Sequence, residues 1–136
     1  MKSIQITIEG RPVAQARPRF FRRGKIVGTY SGQAKDKKAW ISQAILQIKG
    51  HLEGPLAVSM VFLMPIPKGT SKKNVDAMLD CKIHHTKKPD IDNLGKWVLD
   101  CLNGIAYQDD SQIIHLASRK LYGTAPKTMI SIDVIG

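Results

Sequence analysis

The run Pro55-Leu56-Ala57-Val58-Ser59-Met60-Val61-Phe62-Leu63-Met64 is the densest apolar stretch of the chain. It is far shorter than the roughly 18 to 20 residues a membrane-crossing helix needs. Its near-continuous apolarity suits a strand covered by neighbours, central in a sheet, and the rest of the chain must then supply partner strands and covering helices. Ile4, Ile6 and Ile8 alternate with polar residues and read as a half-buried strand that stops at Gly10. Gln112 to Tyr122 and Thr128 to Ile135 read as two more strands, joined by a Gly-Thr-Ala-Pro turn. From Ser31 to Lys49, Trp40, Ile41, Ala44, Ile45 and Ile48 fall at helical spacing, and that helix should end at Gly50. Leu94, Trp97, Val98, Cys101 and Leu102 make one face of a second helix, with Asp90 at its N-cap and Asn103-Gly104 at its stop. Asn74 to Cys81 fits a short extra helix. Trp40 and Trp97 lie on apolar faces and belong to the core. The expected class is α+β: one domain over residues 1–136, with a small mixed sheet and about two main helices.

Twenty-one Lys and Arg against eleven Asp and Glu give a net charge of +10, so the natural partner is acidic. Nucleic acid fits best, because a folded basic surface gains affinity by releasing counterions from phosphates. No long amphipathic helix carries the lysines, which argues against a membrane surface. The stretch Arg11 to Tyr30 holds Arg17, Arg19, Arg22, Arg23 and Lys25, with Phe20, Phe21 and Tyr30 among them. Pro12 and Pro18 oppose a helix there, and Arg23-Gly24-Lys25 reads as a hairpin tip. Pro65 to Lys88 is irregular and basic, carrying Lys68, Lys72, Lys73, Lys82, Lys87 and Lys88. The opening residues alternate like a strand and lack the apolar core of a signal peptide, so the expected location is cytoplasmic. There Cys81 and Cys101 should stay reduced. His84-His85 between these cysteines matches no common structural zinc spacing.

Against that basic field, acidic residues cluster in Lys87-Lys88-Pro89-Asp90-Ile91-Asp92-Asn93-Leu94-Gly95-Lys96 and again in Tyr107-Gln108-Asp109-Asp110. A bland account exists: Asp90 caps a helix, Asp92 offsets the helix dipole, and Asp109-Asp110 make a turn. Three features favour chemistry. Lys96 lies four residues after Asp92, on nearly the same helix face, where an ammonium can sit beside a scissile phosphate. The strip before Asp90 is basic and irregular, as a segment tracking a phosphate backbone would be. Hard cations take oxygen ligands, often one or two carboxylates plus substrate phosphate. The helix between the two acidic clusters should be roughly 20 Å long at about 1.5 Å per residue. Either Gly104 to Asp109 returns along it, or the last Asp comes from a second subunit; sequence leaves both open.

Lys88-Pro89-Asp90-Ile91-Asp92-Asn93-Leu94-Gly95-Lys96, then Asp100-Cys101-Leu102-Asn103-Gly104, then Asp109-Asp110-Ser111-Gln112-Ile113 resembles the signature of the RusA family of Holliday junction resolvases. Ala16-Arg17-Pro18-Arg19-Phe20 resembles the basic N-terminal segment of many members, and the likeness covers nearly the whole chain. It implies that Asp90, Asp92 and Asp110 are the metal-binding catalytic carboxylates and Lys96 the catalytic lysine. Asp109 matches the neighbouring acidic position, and Cys101 stands where Ala is more usual. It also implies a homodimer, dependence on Mg²⁺ and paired symmetric nicks in branched DNA at a four-way junction; Mn²⁺ is a further candidate ion. Arg17, Arg19, Arg22, Arg23, Lys73, Lys87 and Lys88 are the candidates for holding the DNA backbone. The rival readings are a basic, non-catalytic DNA-binding module whose carboxylates merely cap a helix, and a nuclease acting on other branched DNA.

Overall fold

The computed structural model describes residues 2–16, 19–23, 26–30 and 33–136, and the side chains of residues 17–32 lie outside the description. The strands are β1 (Ser3–Glu9), β2 (Arg19–Arg23), β3 (Ile26–Tyr30), β4 (Leu56–Pro65), β5 (Ile113–Gly123) and β6 (Lys127–Val134). The helices are α1 (Ala34–Ile45), α2 (Lys72–Leu79) and α3 (Ile91–Leu102), and a 3₁₀ turn over Asp110–Gln112 leads into β5. Four strands form one mixed sheet in the order β1-β6-β4-β5, and β2 and β3 form a separate two-stranded ribbon. The α+β reading holds, and the short extra helix expected over Asn74 to Cys81 is present as α2, beginning and ending two residues earlier.

The apolar run becomes β4, antiparallel to β6 on one side and parallel to β5 on the other. Its alternate residues Leu56, Val58, Met60, Phe62 and Met64 are buried on one face beside Ile130 and Ile132 of β6 and Ile6 and Ile8 of β1. Helices α1 and α3 cover that face with Trp40, Ala44, Leu94, Trp97, Val98, Cys101 and Leu102. The opposite face, with Gln5, Thr7, Ser59 and Ser131, has no helix packed on it among the described residues. The indole nitrogen of Trp97 is buried without a hydrogen-bond partner among the described residues.

The strands flanking the Gly-Thr-Ala-Pro turn do not pair with each other; they pass either side of β4. Gly123 sits where the chain rounds the end of β4, and a Cβ there would lie 2.9 Å from the Cβ of Leu63. The first helix is shorter than its periodicity suggests. It stops before Gln47, whose side-chain amide donates to Thr7 O and accepts from Thr7 N, both at 2.9 Å. Ile45, the last residue of α1, is 53% exposed, so it does not join the apolar face its spacing suggests. The hairpin reading is matched by the pairing of Arg23 with Ile26, while the tip residues Gly24 and Lys25 lie outside the described residues.

Candidate active site

Helix α3 is amphipathic, and its buried face is the one read from sequence: Leu94, Trp97, Val98, Cys101 and Leu102. Burial of that face leaves Asp92 and Lys96 on the outside, 68% and 65% exposed, with Lys96 Nζ 4.0 Å from Asp92 Oδ2. An exposed pair at that separation is worth well under 1 kcal/mol and does not explain the residues as a stabilising device. Asp90 occupies the N-cap position with extended backbone (φ −72°, ψ 146°), but its carboxylate accepts no capping hydrogen bond. The backbone oxygen of Asp90 accepts from Leu94 N at 3.1 Å, so only the main chain starts the helix. The bland account of Asp90 as a side-chain cap is therefore not what the geometry contains.

Three elements converge on this end of α3. The ammonium of Lys120, near the end of β5, donates to the carbonyl oxygens of Lys87 and Pro89, each at 3.0 Å. His85 packs edge-on against Tyr122 with ring centroids 5.2 Å apart, which docks the loop before α3 onto the same strand. Burial, then the positive charges of Lys120 and Lys87, push the His85 pKa below its ordinary value despite an opposing backbone hydrogen bond. Gln15 N donates to Asn93 O at 2.9 Å, fastening the N-terminal segment to the first turn of α3. The Gln33 side chain then accepts from Ala16 N and donates to Ala14 O, both at 2.7 Å, tying together the two ends of segment 17–32. The chain that leads into the basic ribbon is thus fastened to the first turn of α3, which carries Asp92.

Lys87 and Lys88 are exposed immediately ahead of Asp90, and Lys73 is exposed in the first turn of α2, which packs on β5. Arg19, Arg22 and Arg23 belong to β2; their side chains, and Arg17 as a whole, lie outside the described residues. Sequence reasoning missed Lys120 and His85, because each gains its significance only once β5 runs back along α3.

The second acidic pair sits at the other end of that helix. Asn103 closes α3, Gly104 takes φ +79°, and Gly104 N donates to Tyr107 O at 2.9 Å. Asp110 N donates to the Asn103 side-chain oxygen at 3.1 Å. The segment Gly104 to Asp109 therefore makes a compact turn, and the option that it returns along the helix is overturned. With twelve residues in α3 at about 1.5 Å each, Asp90 and Asp110 are separated by roughly 18 Å along the axis. Among the described residues, no group of three or more His, Cys, Asp or Glu stands close enough to hold a metal ion.

The paired aspartates of the turn differ in use. Asp109 is bound locally: its carboxylate accepts from Ser111 N at 3.0 Å, and Gln112 completes a reciprocal cap by accepting from Asp109 N at 3.2 Å. The hydrogen bonds from Ser111 hold the Asp109 carboxyl below its usual range. Gln112 also donates to Leu52 O and Gly54 O, both at 3.0 Å, which fixes the turn to the strand-leading loop. The Asp110 carboxylate is exposed and has no partner among the described residues.

A small α+β domain with a basic ribbon rooted near exposed carboxylates and a helix lysine has the character of an enzyme acting on phosphodiesters. The chain matches the family model for endodeoxyribonuclease RusA over residues 9–133, and it belongs to that family. It is accordingly a structure-specific endodeoxyribonuclease of the class that resolves Holliday junctions, and the non-catalytic reading falls. The chain is also 34% identical over 137 residues to the uncharacterized protein YqaN of Bacillus subtilis (strain 168), covering 97% of this chain and 96% of that one. Dependence on a divalent metal is general in the family. Among the described residues, no helix is long and apolar enough to cross a membrane.

Proposed function

We propose that this protein is a homodimeric resolvase, located in the cytoplasm, that cuts four-way DNA junctions by paired symmetric nicks, with Mg²⁺, or alternatively Mn²⁺, held by Asp90 and Asp92 of one subunit and Asp110 of the other. The observation that supports it is the separation of Asp110 from Asp90 by the length of α3, while among the described residues the Asp90 and Asp110 carboxylates have no hydrogen-bond partner and Asp92 has only the exposed Lys96 beside it. Hard oxygen donors of this kind fit Mg²⁺, which takes few protein carboxylates and keeps room for water and phosphate. A bound divalent ion supplies Lewis acidity, lowering the pKa of water and offsetting charge on phosphoryl oxygens. Lys96, on the face of Asp92, contributes an ammonium to a phosphate at or next to the scissile bond. Lys87, Lys88 and Lys73, with Arg17, Arg19, Arg22 and Arg23 of the ribbon segment, hold neighbouring phosphates and fix register without reading bases.

The edge of the sheet supports the second subunit. β5 is an edge strand exposed from Ile114 through Arg119. Leu116 pairs with the buried Val58 and shares its helix-covered face, yet it is 48% exposed; Ile114, the extra residue of a bulge, is 65% exposed. A long edge strand carrying uncovered apolar side chains is a template for strand pairing. Antiparallel pairing of two β5 strands about a two-fold axis between Leu116 and Ala117 sets Lys120 opposite Ile113 of the partner subunit. That brings Asp110 of the partner subunit toward the end of α3 that bears Asp90, and it does so twice, matching a substrate with two-fold related strands.

The test is cleavage of a synthetic four-way junction with and without Mg²⁺, beside linear duplex, flap and nicked substrates of the same sequence. Metal-dependent paired nicks confined to the junction are expected. Equal cutting of flaps would replace the junction reading by a broader branched-DNA nuclease.

A further inference from the structure

Lys120 of β5 reaches across to the loop that carries Asp90, two residues before the Tyr122 ring that packs on His85 of the same loop. Its ammonium bridges two carbonyl oxygens, those of Lys87 and Pro89, at 3.0 Å each. Pro89 has no backbone N–H to give and immediately precedes Asp90, so the strand supplies the fastening this segment cannot make for itself. A charge-assisted hydrogen bond to each of two carbonyls is among the stronger ways to hold an irregular backbone. Lys120 is half-buried, whereas Lys87 and Lys88 are exposed, so its charge is committed inward rather than offered to DNA. The same ammonium lies close enough to His85 to disfavour a second positive charge there.

Among the described residues, the Asp90 carboxylate has no hydrogen bond to set its direction. Its position follows from the backbone on either side: Leu94 N on the helix side, and the Lys120 bridge on the loop side. We infer that Lys120 is a positioning residue, which sets the Asp90 carboxylate for metal binding by clamping the Lys87–Pro89 backbone to β5. This inference rests on the reading of Asp90 as a metal ligand. Because β5 is also the proposed pairing edge, the clamp ties the Asp90 loop to the strand through which the second subunit brings Asp110. Lysine is suited to this task as a compact cation with several donors on one nitrogen.

The experiment compares wild type, Lys120→Met and Lys120→Arg in the full-length protein. Three quantities are measured: the Mg²⁺ concentration for half-maximal junction cleavage, junction affinity without metal, and amide exchange over residues 87–90. Lys120→Met should raise the Mg²⁺ midpoint about tenfold and speed exchange over this segment, with metal-free junction affinity changed less than about twofold; about tenfold is what one charge-assisted bond of some 1.5 kcal/mol amounts to. Lys120→Arg should restore most of the midpoint. An unchanged midpoint in Lys120→Met would overturn the proposal. A loss of junction affinity with no change in midpoint would also overturn it, making Lys120 a phosphate contact. Unchanged local exchange removes the clamp itself, whatever happens to cleavage. If wild type cuts no junction while Lys120→Met still loosens residues 87–90, the functional reading has failed and the clamp has not.

Discussion

Asp110 N donates to the side-chain oxygen of Asn103 at 3.1 Å, fixing the second acidic cluster to the C-terminal end of the same helix that begins at Asp90. Helix α3 thus keeps apart, within one chain, the carboxylates that the proposed chemistry needs together. On the proposed reading, a second subunit completes the site rather than merely accompanying it.

The two aspartates of the turn should separate in function. Asp110→Asn and Asp90→Asn should each lower junction cleavage by roughly 10²-fold or more, as expected when several kcal/mol of metal-derived stabilisation is lost. Both should bind the junction as tightly as wild type or tighter, because a negative charge facing phosphate has been removed. Asp109→Asn, whose carboxylate is already occupied by Ser111, should keep most of its activity. Single-turnover cleavage and gel-shift titration of the three variants check this. Retained cutting by Asp90→Asn would remove it from the site.

Two glycines should respond in opposite senses to alanine. At Gly95, inside α3, an added Cβ meets Met60 Sδ and Ser118 Oγ at 3.9 Å, an ordinary contact. Gly95→Ala should stabilise the fold by about 0.5–1 kcal/mol through helix propensity. At Gly123 the added Cβ falls 2.9 Å from Leu63, so Gly123→Ala should cost about 1–3 kcal/mol. Urea melts at neutral pH read both.

Cys101 should make the protein weaken in alkali. Burial pushes its thiol up to about 11 from an ordinary value of 9.0, with Lys37 opposing and Asp100 adding to the shift. Between these values the unfolded thiol has lost its proton and the folded one has not. Stability therefore falls as pH rises, at up to about 1.4 kcal/mol per pH unit. Burial of Tyr107 acts in the same direction at still higher pH. Urea midpoints measured from pH 8 to 10.5 should fall less steeply in Cys101→Ala. A thiol reagent at pH 7.5 should titrate the exposed Cys81 in the native protein and reach Cys101 only after denaturation.

Much of the fold was legible because burial follows periodicity. The apolar run around Val58 and Met60 became the covered strand, and the face from Leu94 to Leu102 became the packed side of α3. The strand order was not legible, since nothing local in Gly123 to Pro126 says that the chain crosses the end of β4 instead of forming a hairpin. The helix ending early at Ile45 was hidden for a similar reason: the Gln47 amide finds Thr7, a partner forty residues away. In the site, Asp90, Asp92 and Lys96 were visible as scarce charge on one helix end. Lys120 was not, because a lone lysine in a strand pattern carries no sign of the two carbonyls it will meet. Asp109 and Asp110 look equivalent as letters and differ only once Ser111 and Gln112 engage the first of them.

The shared site is tested most directly by mixing two inactive variants, Asp90→Asn and Asp110→Asn, carrying different tags so that the mixed dimer can be isolated. If each centre draws Asp90 from one subunit and Asp110 from the other, the mixed dimer holds one centre with both substitutions and one with neither. It should regain metal-dependent nicking of one strand per junction while both parent homodimers stay inactive. A mixed dimer as inactive as its parents would contradict the account and place all three carboxylates of each centre on a single chain.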